Sequence, residues 1–173
     1  MNSAGTNGAL FAEVMQVLER VWIVHILRVM EAKGWLGILR NMAIVLDGPL
    51  AVFGHPAWLS QAIYQEIKRI NNVAKPLLNG QDLLLIGVEK SGMFVQHFDM
   101  IDTDKSGQPG TFPRQTVALL DDTYIKKNII FSDSKKMYGA DTYFGRKLLY
   151  KTRSGAKIVA TLPFLEDQHR DLS

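Results

Sequence analysis

The sequence contains no cysteine among its 173 residues. A chain without cysteine has no disulfide framework, no thiolate zinc site and no cysteine nucleophile, so oxygen or imidazole must hold any metal. Histidine is also scarce, and the four histidines, at positions 25, 55, 97 and 169, form no HxH or HxxxH pattern. A zinc motif is therefore not supported, and the absence of cysteine favours an intracellular protein.

No stretch of the sequence predicts a membrane span or a signal peptide. The most apolar N-terminal stretch contains Glu19, Arg20 and Arg28, and each such ion costs about 2.5–3.5 kcal/mol at the centre of a bilayer. Residues 1–7 lack the basic start of a signal peptide. We therefore expect a cytoplasmic protein without membrane contact.

The sequence also lacks the phosphate loop, the dinucleotide fingerprint and the nucleophile motif of serine esterases. No motif therefore supports nucleotide hydrolysis, a dinucleotide cofactor or serine-esterase chemistry.

The composition is that of one ordinary globular domain, and we expect residues 1–173 to form it. Hydrophobic residues make up 47% and charged residues 21% of the chain, which is far from a disordered composition. The net charge is only +3, but residues 124–157 contain nine Lys or Arg against two Asp. Such a basic segment favours a phosphate-bearing partner, and a solvated lysine-rich surface is the alternative.

The periodicity predicts a long helix followed by a strand, a helix and a second strand. Residues 9–32 lack Gly and Pro and repeat apolar side chains at helical spacing, and Gly34 marks the end of this helix. Because apolar residues spread round the helix, we expect a sheet or missing protein to cover most of it. An apolar run at 42–46, a helical pattern from Pro56 to Ile70 and an apolar run at 82–88 then follow. Right-handed crossover makes the two strands parallel.

The second half of the chain predicts further strands, at 117–120, 128–131, 142–150 and 157–162. Ser154 and Gly155 separate the last two, which we expect to pair as a hairpin. The polar stretch 102–110 contains two Gly and one Pro and predicts a surface loop. The fold class is therefore α/β, with a mixed sheet and flanking helices.

Ionisable residues follow both strands of the predicted parallel pair. Asp47 ends the first strand, before Gly48 and Pro49, and Glu89 and Lys90 end the second. In open α/β sheets, ligands bind beyond the carboxyl ends of strands. If the strands are neighbours, Asp47 and Glu89 approach each other and favour a hard cation such as Mg²⁺ or Mn²⁺, with Lys90 contacting a phosphate. The alternatives are a turn aspartate bonded to its own backbone and a solvated lysine.

The long helix offers a further acidic ligand. Glu13 and Glu19 are about 240° apart round the helix axis, so only one of them can face a given site. Glu19 lies between Leu18 and Trp22 on an apolar stretch and is the stronger candidate, although it can instead pair with Arg20. Asp121 and Asp122 offer at most one ligand, and the alternative is that they end a strand or cap the next segment.

The basic segment alternates aromatic side chains, glycines and cations. Rings stack on bases while lysine and arginine meet phosphates, so this combination suits nucleic acid. A hairpin strand with aromatic core residues is the alternative. The candidate nucleic-acid contacts are Lys126, Lys127, Lys135, Lys136, Tyr143, Arg146 and Lys147.

Several of these motifs, in this order, resemble the NurA nuclease family. They are the helix with Glu19, the strand into Asp47-Gly48-Pro49-Leu50, the strand into Glu89-Lys90-Ser91, and Tyr138-Gly139 followed by Tyr143-Phe144. The resemblance covers most of residues 10–165. It implies an RNase H-like fold and a Mn²⁺- or Mg²⁺-dependent DNA nuclease, a 5′-to-3′ exonuclease and endonuclease that works with a HerA-type hexameric ATPase in DNA end resection.

The resemblance also implies roles for individual residues. Asp47 matches the strand carboxylate of the metal site, Glu19 or Glu13 matches the helix carboxylate, and Lys90 lies beside them. In the full-length family the protein is a homodimer. The family's first catalytic aspartate, on a strand before the long helix, and a C-terminal histidine have no counterpart here. We therefore expect a partial domain that lacks the N-terminal strands. A catalytically inactive adaptor that binds DNA or an ATPase is the alternative function.

Overall fold

One five-stranded sheet organises the chain in the computed structural model, which describes residues 4–163 and 165. The strands are β1 (Ile44–Asp47), β2 (Leu85–Glu89), β3 (Thr116–Leu119), β4 (Gly145–Lys151) and β5 (Lys157–Pro163). The helices are α1 (Ala4–Ala32), α2 (Leu59–Ala74), α3 (Met93–Ile101) and α4 (Asp122–Ile125), and α4 continues as a π-helical turn over Lys126–Ile130. Short 3₁₀ helices cover Leu36–Asn41, His55–Trp58 and Lys75–Leu78.

The strand order is β1-β2-β5-β4-β3, with β1 at one edge. Strands β1 and β2 are parallel and place Asp47 opposite Val88, whereas all the other pairs are antiparallel. The predicted parallel pair, the hairpin of the last two strands and the mixed α/β class are therefore confirmed. The RNase H-like arrangement remains a prediction.

Helix α2 connects the two parallel strands and supplies much of the core. Its buried side chains Ile63 and Ile67 contact Leu46 of β1 and Leu85 of β2. These helix positions are four residues apart and so lie on one face of α2, as an amphipathic helix against a sheet requires. Each fully buried aliphatic side chain contributes about 1.5–3 kcal/mol. This packing fixes the ends of β1 and β2 relative to each other.

Helices α2, α3 and α4 pack against the same face of the sheet. Leu85 contacts α2, and Val159 and Leu149 contact α3 and α4. The register places these three strand residues on one face, because side chains alternate along each strand and Glu89 lies opposite Val159. The same alternation places Val45, Asp47 and Val88 on the opposite face of the sheet.

Helix α1 runs along the β1 edge and ends as predicted. Gly34 has φ 70°, and the amides of Gly34 and Trp35 donate to the carbonyls of Glu31 and Met30. This is the Schellman arrangement, in which a glycine takes up the left-handed conformation. The described residues cover one side of α1, and its other side is exposed. No helix in the described part of the chain combines the length and hydropathy that a membrane span needs.

One predicted strand is wrong. Residues 128–130 belong to the π-helical turn that continues α4, and Phe131 ends that turn in the left-handed conformation. The Asp121 side chain accepts a hydrogen bond from the amide of Tyr124 and caps this helix, which stabilises a helix start by about 1 kcal/mol. Ile125 and Ile129, one helical turn apart, then face the core together. The capping alternative for the Asp121–Asp122 pair is therefore confirmed.

Candidate functional site

Asp47 lies at the carboxyl end of β1 with its carboxylate in solvent. Its side chain is 66% exposed, and the Nζ of Lys90 lies 2.9 Å from its Oδ2. Asp47 and Lys90 project from the same face of the sheet because Asp47 is in register with Val88, two residues before Lys90. An exposed ion pair of this kind contributes only about 0–1 kcal/mol. Both groups therefore remain available to a ligand.

A buried arginine joins α1 to the end of β1. Arg20 is 3% exposed, and its Nη2 donates to the carbonyl oxygens of Pro49, at 3.1 Å, and Asp47, at 3.4 Å. Its Nη1 donates to the Glu19 carboxylate. Burial lowers the pKa of Arg20 and the Glu19 carboxylate opposes this shift. The guanidinium thus links the two elements that contain the candidate acids.

Glu19 and Asp47 line one groove between α1 and β1. The groove has a volume of about 480 Å³, and its other lining side chains are apolar, among them Met15, Trp22 and Val45. Glu19 is 46% exposed and is paired with Arg20. The structure therefore also contains the alternative given above for Glu19, an ion pair with its neighbour. The structure therefore brings the predicted helix acid and the predicted strand acid to a common surface, each beside a cation.

Glu13 is not part of this groove. Its carboxylate lies next to Gly54, and its Oε2 is 3.6 Å from the Nδ1 of His55. The spacing argument that only one of the two helix glutamates can face a given site agrees with this placement. Glu19 is the helix carboxylate to consider.

The prediction that Glu89 shares a site with Asp47 is wrong for this structure. Glu89 projects from the opposite face of the sheet, because adjacent residues of a strand point to opposite sides. Its carboxylate is nearly buried and pairs with the Nζ of Lys147. That ammonium also lies 4.2 Å from the ring centre of Phe94 and 4.6 Å from that of Tyr143. Burial lowers the pKa of Lys147, and Glu89 opposes the shift.

Two of the predicted nucleic-acid contacts are core residues. Tyr143 and Lys147 are buried beside Glu89, so neither presents its side chain to a nucleic acid in this structure. Burial also raises the pKa of Tyr143. The alternative of a hairpin strand with aromatic core residues is the correct one for these two positions.

The remaining basic candidates lie nearer the surface. Lys127, Lys135 and Lys136 are exposed, whereas Lys126 is partly buried against Asp122. Arg146 is half-buried, and its Nε donates to the carbonyl of Leu120. Fewer of the predicted basic side chains can therefore contact a phosphate than the sequence suggests.

Within the described ranges, no three histidine or carboxylate side chains form a group that could hold a metal ion. Among the residues that the structure describes, Glu19 and Asp47 are the carboxylates that line the groove. No family model, curated protein or solved structure matches this chain. The NurA resemblance therefore remains a prediction from sequence motifs.

The sequence analysis named Arg20 only as a partner of Glu19 and missed its contact with the end of β1, and it missed Gly87 altogether. A Cβ built on Gly87 would lie 2.6 Å from the carbonyl oxygen of Gly48 and 2.8 Å from the amide of Leu50. Glycine therefore lets the turn after Asp47 pack directly on β2. The available signals were an arginine within an apolar helix and a glycine within an apolar strand, since the latter often marks a close backbone approach.

Proposed function

We propose that this chain is a Mn²⁺- or Mg²⁺-dependent DNA nuclease domain in which Glu19 and Asp47 hold the cation. The observation that supports this most is that the two carboxylates, from α1 and β1, line the same groove. Mg²⁺ is commonly held by one or two carboxylates, with waters and substrate phosphates completing its coordination. The order of the NurA-like motifs supports the same assignment.

The donor chemistry fits a hard cation. Both carboxylates are about half exposed or more, and the exposed ammonium of Lys90, beside Asp47, can meet a phosphate. A bound divalent cation would polarise the phosphate and lower the pKa of an attacking water. Lys90 would hold a phosphate oxygen, and Arg20 would keep the end of β1 and the Glu19 carboxylate in place. Glu89 has no part in this assignment, because Lys147 neutralises it on the other face.

Cleavage of linear DNA in the presence of Mn²⁺ tests the proposal. The variant Asp47→Asn keeps the shape of the side chain and removes its charge, and it should lower the cleavage rate by about 100-fold or more. Asp99→Asn is the matched control, because Asp99 is also an exposed aspartate paired with a lysine, Lys157. The control should cleave like the wild type.

Two results would overturn the nuclease proposal. One is the absence of Mn²⁺- or Mg²⁺-dependent cleavage by the folded wild-type chain. The other is equal cleavage by the wild type and Asp47→Asn, which would assign the activity to another site or to a contaminant.

A second candidate function is an adaptor that binds DNA, or a HerA-type ATPase, without cleaving. It is favoured by the exposed lysines of the basic segment and by the cation that already neutralises each groove carboxylate. DNA affinity measured by fluorescence anisotropy in EDTA tests it. The double variant Lys127→Glu and Lys135→Glu should abolish a salt-sensitive affinity, whereas Lys33→Glu with Lys105→Glu should change it little. Equal affinities would rule the DNA adaptor out.

A further inference from the structure

Phe131 ends the π-helical turn after α4 in a backbone conformation that suits few residues. Its φ is 50° and its ψ 55°, and its amide donates to the carbonyl of Lys126. This left-handed region is costly for a residue with a bulky side chain, and helix ends usually place glycine or asparagine there. Gly34 and Asn79 occupy it at two other helix ends of this chain. The backbone therefore disfavours phenylalanine at position 131.

The hydrophobic core does not require this side chain either. Phe131 is 81% exposed, whereas Ile125 and Ile129 of the same segment are buried. The ring thus offsets none of the cost of its backbone conformation. Residues held in costly conformations cluster at functional sites, and π-helical turns are frequent at such sites as well. Phe131 therefore has the properties of a binding residue rather than a folding residue.

Phe131 lines a hollow on the surface with a volume of about 480 Å³. The other side chains round this hollow are polar or charged, among them Thr123, Lys127 and Ser132. Lys127 precedes Phe131 by four residues, about one helical turn, so the two side chains project from the same side of the segment. Both are exposed. The hollow therefore places an aromatic ring beside an ammonium group.

The acidic side chains at the hollow leave room for an anion. Asp122 lines it, but this carboxylate is paired with Lys126 and also accepts a hydrogen bond from a backbone amide. Asp133 is exposed at the same hollow, and the exposed Lys127 and Lys135 outnumber it. The surroundings of the ring are therefore weakly positive.

We propose that Phe131 is a stacking site for an unpaired base of DNA, with Lys127 holding a neighbouring phosphate. An exposed ring stacks on the face of any base while cations hold the backbone of the strand. One ring among polar side chains suits a planar base better than a protein partner, because protein interfaces have a core of several adjoining apolar side chains.

The inference rests on the proposal that the chain binds DNA, and it adds the kind of DNA. A base within a duplex is covered on both faces by its stacked neighbours, so its face is not open to Phe131. A single strand, or the frayed end of a duplex, presents open base faces. The chain should therefore prefer DNA with unpaired bases.

Binding of a labelled single strand of thymidines, followed by fluorescence anisotropy in EDTA, tests the stacking site. Phe131→Asn removes the ring and suits the left-handed turn, so the affinity should fall by about tenfold or more. The free energy of unfolding of this variant should not fall, which separates lost stacking from lost structure. Phe131→Trp should keep the affinity. Trp58→Leu is the matched control, because Trp58 is another exposed aromatic residue, 72% exposed, and it should bind like the wild type.

A duplex of the same length completes the test. The wild type should bind it more weakly than the single strand, and Phe131→Asn should change that affinity much less. Equal single-strand affinities of the wild type and Phe131→Asn would overturn the stacking site and leave DNA binding by the lysines standing. No binding of either DNA by the wild type would overturn the stacking site together with the DNA-binding proposal. Because EDTA excludes metal-dependent cleavage, the result is independent of the nuclease activity.

Discussion

The buried guanidinium of Arg20 donates a hydrogen bond to the carbonyl oxygen of Pro49, 3.1 Å away. In the part of the chain that the structure describes, β1 is an edge strand with β2 as its neighbour, and the turn after Asp47 packs on β2. Arg20 holds it from the other side and contacts Glu19 as well. Together with the hydrogen bond from the Phe53 amide to Oε1 of Gln16, 3.1 Å long, Arg20 ties α1 to the segment that follows Asp47.

Replacing Arg20 should destabilise the fold. Arg20→Met leaves the carbonyls of Asp47 and Pro49 without their donor, and we expect the free energy of unfolding to fall by about 3 kcal/mol. Arg20→Lys keeps the charge but lacks the forked geometry of the guanidinium. The free energy of unfolding should therefore fall less than in Arg20→Met. Urea denaturation measures both, with the exposed Arg40→Met as the control. An equal effect of Arg20→Met and Arg40→Met would contradict the structural role of Arg20.

The Glu89–Lys147 pair should behave as a buried ion pair. Glu89→Gln or Lys147→Met alone leaves an unpaired buried group and should cost about 3–5 kcal/mol. The double variant should cost clearly less than the two single variants together, because neither charge remains. The exposed pair Asp47–Lys90 is the comparison, and its coupling should be below about 1 kcal/mol. Strict additivity at Glu89 and Lys147 would argue against their contact.

Gly87 should not tolerate a larger side chain. Gly87→Ala places its Cβ against the backbone of Gly48 and Leu50, and the displaced turn should lower the free energy of unfolding by about 3 kcal/mol. Gly37→Ala is the matched control, because a Cβ there meets nothing within 4 Å. Thermal unfolding of both variants measures the difference. A neutral Gly87→Ala would show that the turn does not pack on β2 as described.

His97 should make stability depend on pH. Its Nε2 lies 2.8 Å from the hydroxyl of Tyr124, and burial lowers its pKa below the ordinary value of 6.5. Below pH 6.5 the histidine of the unfolded chain binds a proton that the folded chain does not bind. The free energy of unfolding is therefore at its full value above pH 6.5 and decreases as the pH falls below it. Wild-type stability should therefore decrease more than that of His97→Gln between about pH 7 and pH 5. Parallel pH profiles for the two proteins would contradict this.

The sequence predicts the parts of the fold that depend on local pattern. The apolar run before Asp47, the glycine after α1 and the hairpin at Gly155 all have local signals, and the structure agrees with each. The face of the sheet on which Glu89 lies depends instead on strand register, because a shift of one residue moves every side chain of the strand to the other face. The short apolar run at 128–131 suits either a strand or a helix, and the Asp121 cap favours the helix.

The site was predictable only in part, for the same reason. Asp47, Glu19 and Lys90 are recognisable from their places in the pattern, and the structure places them round one groove or its rim. The burial of Lys147 and Tyr143 has no local signal, since both lie in a basic and aromatic segment that resembles a binding surface. Their partner Glu89 is distant in sequence and meets them only after β2, β5 and β4 have assembled.

Manganese binding tests the central claim most directly, namely that Glu19 and Asp47 share a divalent cation. The free-ion electron paramagnetic resonance signal of Mn²⁺ reports how much metal the protein binds during a titration. The wild type and Asp99→Asn should each bind a single Mn²⁺, and Asp47→Asn and Glu19→Gln should each lose that binding. Undiminished Mn²⁺ binding by both folded groove variants, or no binding by the wild type, would contradict the account.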